Sequence, residues 1–533
     1  MRKEAKRMIW NASFLTASTL FMRTVGVGFQ VFLSNRAGAE VMGLFSLLGG
    51  VYGFALTLAI SGVHLGVTHL VVEAMGKNEE GRVRRVMQKA TLYALSFGTL
   101  SALLLVLLAP TIGRLWLKDE RTVDALRIMG LTLPLIALSS AFSGYFSAVR
   151  RVYKSAIVQV AEQALKIGFT VYLLAFFFAK DAKSALLALV LGGLLAECFS
   201  FLIELSLYLF DRKKHYPDTS PAANEGKRLL GISLPVAVST YIRSGLLTIE
   251  HILIPEGLRN SGASHAAALS AYGSIQSMAL PVVLYPAALI SSFAGLLIPE
   301  FSESRVKGHV RHIDYMFGRV FSLSAAFAIG VSGVLLFCSQ ELGELLYPGT
   351  DAAHYIRLLA PLIPIMYLDT ATDAMLKGLG QQVYSMNVNI ADALLSVILV
   401  KLLIPRLGIS GYLVTIYVSE VFNTTMSLYR LLSISHAKVQ IFRWVYKPLF
   451  CVLGATCFVR LLFLVLPTKN DSLSVILHLA LTSCLYLVLL RFFGGFDKED
   501  RAWILSLFTK DEKSPAKPIC RFAEQKVSKK KFS

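Results

Sequence analysis

Apolar runs of about 20 residues recur along this chain, roughly fourteen in number, and each is long enough to cross the ~30 Å hydrocarbon core of a bilayer as a helix. They fall near residues 12–34, 41–72, 87–113, 124–148, 156–179, 184–210, 229–254, 266–298, 320–346, 352–376, 383–404, 408–432, 448–467 and 471–493. Hydrocarbon offers the backbone no water to bond, so spans of this kind fold as helices. With 55% hydrophobic and 16% charged residues among 533 and a mean hydropathy of +0.60, the chain is too apolar for a soluble enzyme. The expected fold is an all-α polytopic membrane protein.

Orientation follows from the basic residues. Of the 53 lysines and arginines, about 37 lie in the N-terminus, the even-numbered connections and the C-terminal tail, against about 13 in or beside the odd-numbered connections. Both termini are therefore expected in the cytoplasm. The formal net charge of +19 reads as this topology signal rather than as a nucleic-acid surface. The opening MRKEAKR and the apolar run after it imitate a signal peptide, but Arg23 interrupts a run that is itself long. That pattern predicts an uncleaved first helix. Cys198, Cys338, Cys451, Cys457, Cys484 and Cys520 show no C-x-x-C spacing, so neither a disulfide framework nor a structural zinc site is expected.

The chain also repeats itself. Residues 13–24 read SFLTASTLFMRT and residues 233–244 read SLPVAVSTYIRS, which matches Arg23 to Arg243 at an offset of 220. Glu73, Gly81, Val83 and Arg84 recur as Glu300, Gly308, Val310 and Arg311 at an offset of 227, and Val152-Tyr153 recurs as Val383-Tyr384 at 231. Slowly rising offsets fit a duplication whose loops have lengthened. Spans 1–6 then pair with spans 7–12, and an even number of spans per half makes two parallel six-helix repeats. The predicted division is 1–218, 219–435, two additional helices in 436–495, and a basic cytoplasmic tail in 496–533. The polar segment DRKKHYPDTSPAANEGKR (211–228) marks the border between halves. In the tail, Trp503, Ile504, Leu505, Leu507 and Phe508 precede KVSKKKFS. That stretch reads either as an interfacial helix touching anionic lipid or as a disordered positive-inside end.

Arginine in mid-bilayer costs roughly 2.5–3.5 kcal/mol on insertion scales, so Arg23 and Arg243 are expected to face a wet cavity or an anionic partner. As a clamp, a guanidinium binds phosphate oxygens in pairs and keeps its charge when poorly hydrated. The alternative is an internal pair with a carboxylate such as Glu250, two turns beyond Arg243. Glu162 and Lys166 are spaced to neutralise each other on one helix face, or Glu162 serves the cavity. Asp392 occupies the corresponding span of the second half. With Glu420, it is a candidate for the cavity wall. Asp369 and Asp373, one turn apart with like sign, repel unless a proton or cation such as Na+ or H+ sits between them. They are a candidate coupling-ion site, or else a water-exposed pair. Glu73 and Glu300, at helix ends, are expected to fix loop geometry by pairing with nearby arginines. Helix breakers (Pro134, Pro235, Pro281, Pro286, Pro361, Pro364 and the Gly49-Gly50-x-x-Gly53 cluster) suit bendable spans. No phosphate-binding loop, H-E-x-x-H or G-x-S-x-G sequence is present, so no enzyme chemistry, cofactor or metal is indicated.

The pattern around Arg23 and Gly26, followed by NRAGAEVMGLFSL, resembles the opening of bacterial polysaccharide flippases, as does SGVHLGVTHLVVEAMGKNEEGRVRRVMQKA at 61–90. GYFSAVRRVYKSAIVQVAEQALKI (144–167), LYPAALISSFAGLLIPEFSES (284–304) and LKGLGQQVYSMNVNI (376–390) resemble the stage V sporulation protein B group. The resemblance covers most of the chain and points to the multidrug/oligosaccharidyl-lipid/polysaccharide exporter superfamily, near the lipid II flippases. It implies a V-shaped pair of six-helix lobes around a cavity, with two extra helices at the side, in the bacterial cytoplasmic membrane. It also implies a substrate with a polyprenyl tail, a pyrophosphate and a glycan head, either a peptidoglycan precursor or a polysaccharide unit. Arg23 matches the first-span arginine of lipid II flippases, and Arg243 follows from the repeat. Two other functions fit less well. A multidrug exporter of the same superfamily favours carboxylates over arginines, because its cargo is cationic. A membrane glycosyltransferase needs a large outer loop, and the outer connections here are short.

Overall fold

The structure, a computed structural model, describes residues 2–77, 79–176, 182–212, 224–435, 440–465 and 472–494. The basic tail, its expected interfacial helix and most of the 211–228 border lie outside the described residues. Among those described, every regular element is helical, and eleven helical stretches are long and apolar enough to cross a membrane. The described residues of the expected runs are helical apart from short breaks, and the lower number of stretches has a physical origin. The first two runs are two helices that meet without a loop at a non-helical Gly38, so they count as one stretch. The run near 352–376 is broken in two, and the run near 408–432 carries Glu420, Asn423 and Arg430.

The first half of the chain comprises α1 (Arg2–Ile60), α2 (Val63–Gly76), α3 (Glu80–Thr111), α4 (Arg121–Ala148), α5 (Val152–Phe176) and α6 (Ala182–Arg212). The second half comprises α7 (Glu225–Asn260), α8 (His265–Gly273), α9 (Leu280–Leu284), α10 (Ala287–Val306) and α11 (Val310–Phe337). It continues through α12 (Ser339–Leu346), α13 (Ala352–Leu359), α14 (Ile363–Gly378), α15 (Gln382–Leu407) and α16 (Ile409–Ser435). Two more helices follow, α17 (Lys447–Val465) and α18 (Ser472–Phe492).

Backbone geometry repeats between the halves. Gly38 (φ 83°) kinks α1, and Gly262 (φ 104°) stands in the turn after α7, an offset of 224. The break at Ser61-Gly62 before α2 has its counterpart at Tyr285-Pro286 before α10, also at 224. Lys118 (φ 55°) corresponds to Gly349 (φ 71°) at 231, and Arg150 (φ 57°) to Gly380 (φ 67°) at 230. A left-handed residue ends a helix cheaply only as glycine. The first half therefore carries roughly 1–2 kcal/mol of backbone strain at each of Lys118 and Arg150 that the second half avoids. The prolines fit the same scheme. Pro364 sits in the first turn of α14, where a missing N–H costs little, while Pro235 and Pro255 are absorbed within α7 and Pro281 directly after a π-helical segment, Ser274–Ala279, of the continuous stretch His265–Leu284.

The chain packs as two compact units. One contains the described residues of 1–285, 346–359 and 386–420, and the other those of 286–345, 360–385 and 421–494. In the first unit Leu44, Leu47, Leu48, Leu70, Tyr145 and Tyr272 are fully buried. There α1 and α8 touch backbone to backbone: a Cβ on Gly43 would lie 2.1 Å from the Leu269 carbonyl oxygen, and one on Gly273 2.2 Å from that of Ala39. Small residues permit such close crossings between membrane helices. In the second unit Phe301, Phe317 and Tyr367 form the core. The additional helices α17 and α18 dock on a glycine face of α11, with Val452 against Gly333 and the Tyr486 ring against Gly330. The Tyr486 hydroxyl donates to the Ala326 carbonyl at 2.6 Å, which satisfies its buried polar end.

Candidate functional site

Arg23 lies on α1 and Arg243 on α7, both in the first unit and both exposed within membrane-spanning helices. Neither has a hydrogen-bond or ion-pair partner among the described residues. Each stands beside a hydroxyl. Thr24 Oγ1 and Tyr285 Oη are 2.8 Å apart, and Thr57 Oγ1 donates to Ser244 Oγ at 3.2 Å. One turn further along α7, Thr248 Oγ1 donates to the Gly50 carbonyl at 2.8 Å, which ties this helix to α1. Eleven residues on from Gly50, at the break, Tyr241 donates to Ser61 Oγ at 2.6 Å.

The carboxylates expected near these arginines are held by hydroxyls. Glu250 accepts from Ser396 Oγ at 2.6 Å, and Asp392 accepts from Ser419 Oγ at 2.6 Å. Arg243 lies within electrostatic reach of Asp392, and so does Glu250. Of these two carboxylates, it is Asp392 of α15 that feels the Arg243 charge, not Glu250 on the arginine's own helix. Glu162 on α5 bonds Ser200 of α6 and feels the charge of Lys166. Glu197 and Glu204 of α6 are buried, and near Glu197 and Glu162 Tyr52 and Thr132 share a hydrogen bond of 2.6 Å.

In the second unit the two aspartates of α14 are met separately. Lys377 bridges Asp373 at 2.6 Å, and Ser385 donates to the same carboxylate. Asn423 Nδ2 donates to Asp369 at 3.2 Å. A lysine one turn along thus answers the like-charge repulsion of this pair. The second unit also holds an apolar cleft of about 870 Å³ between α17 and α18, lined by Phe450, Phe458, Leu485 and Leu489 with Lys447 at its edge.

Sequence reasoning missed a feature of the first unit: α7 is ion-paired at one end to the start of α3 and at the other to the connection between α3 and α4. At one end Glu225 receives Arg82 through Nε at 2.5 Å and Nη2 at 3.1 Å. Arg82 also donates to Glu79 at 2.8 Å, and Arg228 reaches Glu73 at 2.6 Å. At the other end Lys118 bridges Glu256 at 2.8 Å, and His265 meets Asp119 at 3.2 Å. Arg121 joins Asp119 at 2.6 Å and Glu40 at 2.9 Å. Burial pushes the Asp119 carboxyl up, but hydrogen bonds from Arg121 and His265 outweigh it and hold the group below its ordinary range. Glu73 pairs with the nearby Arg82 at 3.9 Å and, more closely, with Arg228 of α7. Glu300 faces His312 at 3.8 Å. The charges at both ends of α7 were the available signal. Their partners lie more than a hundred residues away in the chain.

A family model described as "Polysaccharide biosynthesis protein" matches residues 9–304. Stage V sporulation protein B of Bacillus subtilis (strain 168) is 24% identical over 420 residues, covering 77% of this chain and 81% of that protein. Lipid II flippase MurJ of the same strain is 24% identical over 413 residues, covering 72% of this chain and 74% of that protein. Among solved structures, lipid II flippase MurJ in its inward closed conformation superimposes with a TM-score of 0.70 over 90% of this chain and 98% of that one, at 12% identity. That likeness establishes the fold.

Proposed function

Because the chain belongs to the polysaccharide biosynthesis protein family, we propose that it is a flippase, not an enzyme, and that it carries a polyprenyl-pyrophosphate-linked glycan across the bacterial cytoplasmic membrane. The observation that carries this reading is the pair Arg23 and Arg243. They sit at matching points of a repeat, exposed in apolar helices, without an ion-pair partner among the described residues. Two guanidiniums of this kind suit a pyrophosphate, which each can grip through paired oxygens. Glu162, Glu250 and Asp392 belong to the same unit and supply acceptors for the hydroxyls of a peptidoglycan precursor or polysaccharide unit. The apolar cleft at α17 and α18 takes an isoprenoid or acyl chain.

In this reading the chain has both termini in the cytoplasm and works by alternating access. The ion pairs at one end of α7 open while those at the other stay closed. Coupling to Na+ or H+ runs through Asp369 and Asp373, where an incoming cation takes the place of Lys377. Binding of a lipid-linked disaccharide pyrophosphate to the chain in nanodiscs, followed by native mass spectrometry, tests the clamp. A charge-assisted hydrogen bond contributes about 1.5–3 kcal/mol, so Arg23→Ala and Arg243→Ala should each weaken binding roughly ten- to a hundredfold. Undiminished binding in both variants would sink the clamp. No binding to the wild type, with organic cations bound instead, favours a drug exporter.

A further inference from the structure

A contact of different chemistry lies where α11 ends. Cys338 follows α11 directly and is buried, Glu341 belongs to α12, and His478 sits in the second turn of α18. One donor atom from each (thiol sulfur, carboxylate oxygen, imidazole nitrogen) lies within 4.8 Å of the other two. His478 Nδ1 is 2.9 Å from Glu341 Oε2. The Phe463 ring stacks on the imidazole with centroids 4.8 Å apart and planes 23° from parallel, which fixes its orientation.

Thiolate, imidazole and carboxylate are the three side-chain ligand types of Zn2+, with bonds of about 2.0–2.3 Å. Tetrahedral angles at those lengths place neighbouring donor atoms roughly 3.3–3.7 Å apart. The triad reaches that geometry by modest side-chain rotation, the histidine and glutamate parting slightly to admit the ion. Sulfur and nitrogen donors select Zn2+ over Mg2+ or Ca2+. We propose that Cys338, Glu341 and His478 form a Zn2+-class metal site with one coordination position left open, which clamps α18 to the junction of α11 and α12. Glu341 is 43% exposed and gives the ion a route in. The spacing gives no zinc signature, because the histidine lies 137 residues beyond the glutamate. Metal binding here is distinct from the proposed transport reaction and stands or falls without it.

The test is titration of the purified full-length chain with Co2+, read by the thiolate-to-cobalt charge-transfer band, with Zn2+ added to displace it. The expected result is a band that saturates near one equivalent and disappears on adding Zn2+. Cys338→Ser abolishes it, while Cys457→Ser and Cys484→Ser, exposed positions on α17 and α18, leave it unchanged. Glu341→Gln keeps a hydrogen-bonding partner for His478 and an intact thiol, so it preserves the fold yet weakens Co2+ binding at least about tenfold. Zn2+ raises the melting temperature of the wild type and not that of Cys338→Ser. No band at stoichiometric Co2+, a band surviving in Cys338→Ser, or unchanged affinity in Glu341→Gln overturns the site.

Discussion

Breaking the buried ion pair between Arg82 and Glu225 should free one end of α7. The Arg82 side chain is 6% exposed and that of Glu225 2%, and they meet through two hydrogen bonds of 2.5 and 3.1 Å. Removing one partner of a buried pair costs about 3–5 kcal/mol, because the other charge is left uncompensated. Glu225 keeps Arg228 at 3.8 Å, which argues for the lower end, about 3 kcal/mol. If that free energy holds the end of α7 closed, Arg82→Ala raises the open population roughly a hundredfold, since each 1.4 kcal/mol is tenfold. Leu229 reports on this opening. It lies one turn from Glu225, is 1% exposed, and abuts Gly66 of α2. In a background with the six native cysteines replaced by serine, Leu229→Cys is labelled with a membrane-impermeant maleimide. The labelling rate should rise by one to two orders of magnitude on adding Arg82→Ala, and similarly on adding Glu225→Ala. The double change Arg82→Met with Glu225→Leu, which leaves no stranded charge, should perturb stability far less than either single alanine. Unchanged labelling in both single variants, with normal membrane abundance, would refute the idea that this pair closes the end of α7.

Three further outcomes are expected. Gly273→Ala forces a Cβ towards the Ala39 carbonyl, which cannot swing aside, and should cost about 1–3 kcal/mol, seen as a lower melting temperature. Arg150→Gly copies the Gly380 solution into the first half and should stabilise by about 1 kcal/mol, seen as a higher one. Asp119 is held below its ordinary value, so its contribution is complete above the unfolded pKa of about 3.9 and is lost as pH falls through the lower folded value. The melting temperature should therefore drop below about pH 4, and Asp119→Asn should flatten that part of the profile. An equally steep acid limb in Asp119→Asn would count against this assignment.

Much of the architecture is legible in the residues because hydrocarbon leaves a polypeptide few choices. Among the described residues the apolar runs are helix apart from short breaks, and the repeat seen in Glu73 and Glu300 returns in the backbone as matched left-handed residues and matched breaks. Composition could not show that the first two runs follow one another without a loop, joined only at a non-helical Gly38, since a single φ of 83° decides that. The site was legible in part. Arg23 and Arg243 announce themselves because arginine is costly in an apolar span, and the structure leaves them without ion-pair partners among the described residues. The pairing of Asp373 with Lys377 was one helical turn away and readable by spacing. The Ser396 and Ser419 hydroxyls were not readable, because serine in a membrane helix is too common to mark a partner. The two ends of α7 were hidden for another reason: Arg82 and Glu225 are 143 residues apart, and only the packed fold brings them together.

The central claim is that two intramembrane arginines carry a pyrophosphate-linked glycan across the bilayer. Its most direct test is translocation of a fluorescent polyprenyl-pyrophosphate disaccharide by the purified chain in sealed liposomes, read by quenching from outside. The account predicts that the wild type speeds translocation well above protein-free liposomes, and that Arg23→Ala and Arg243→Ala each lose most of that rate at equal reconstitution. Wild-type rates in both variants, or no translocation by the wild type, would contradict it.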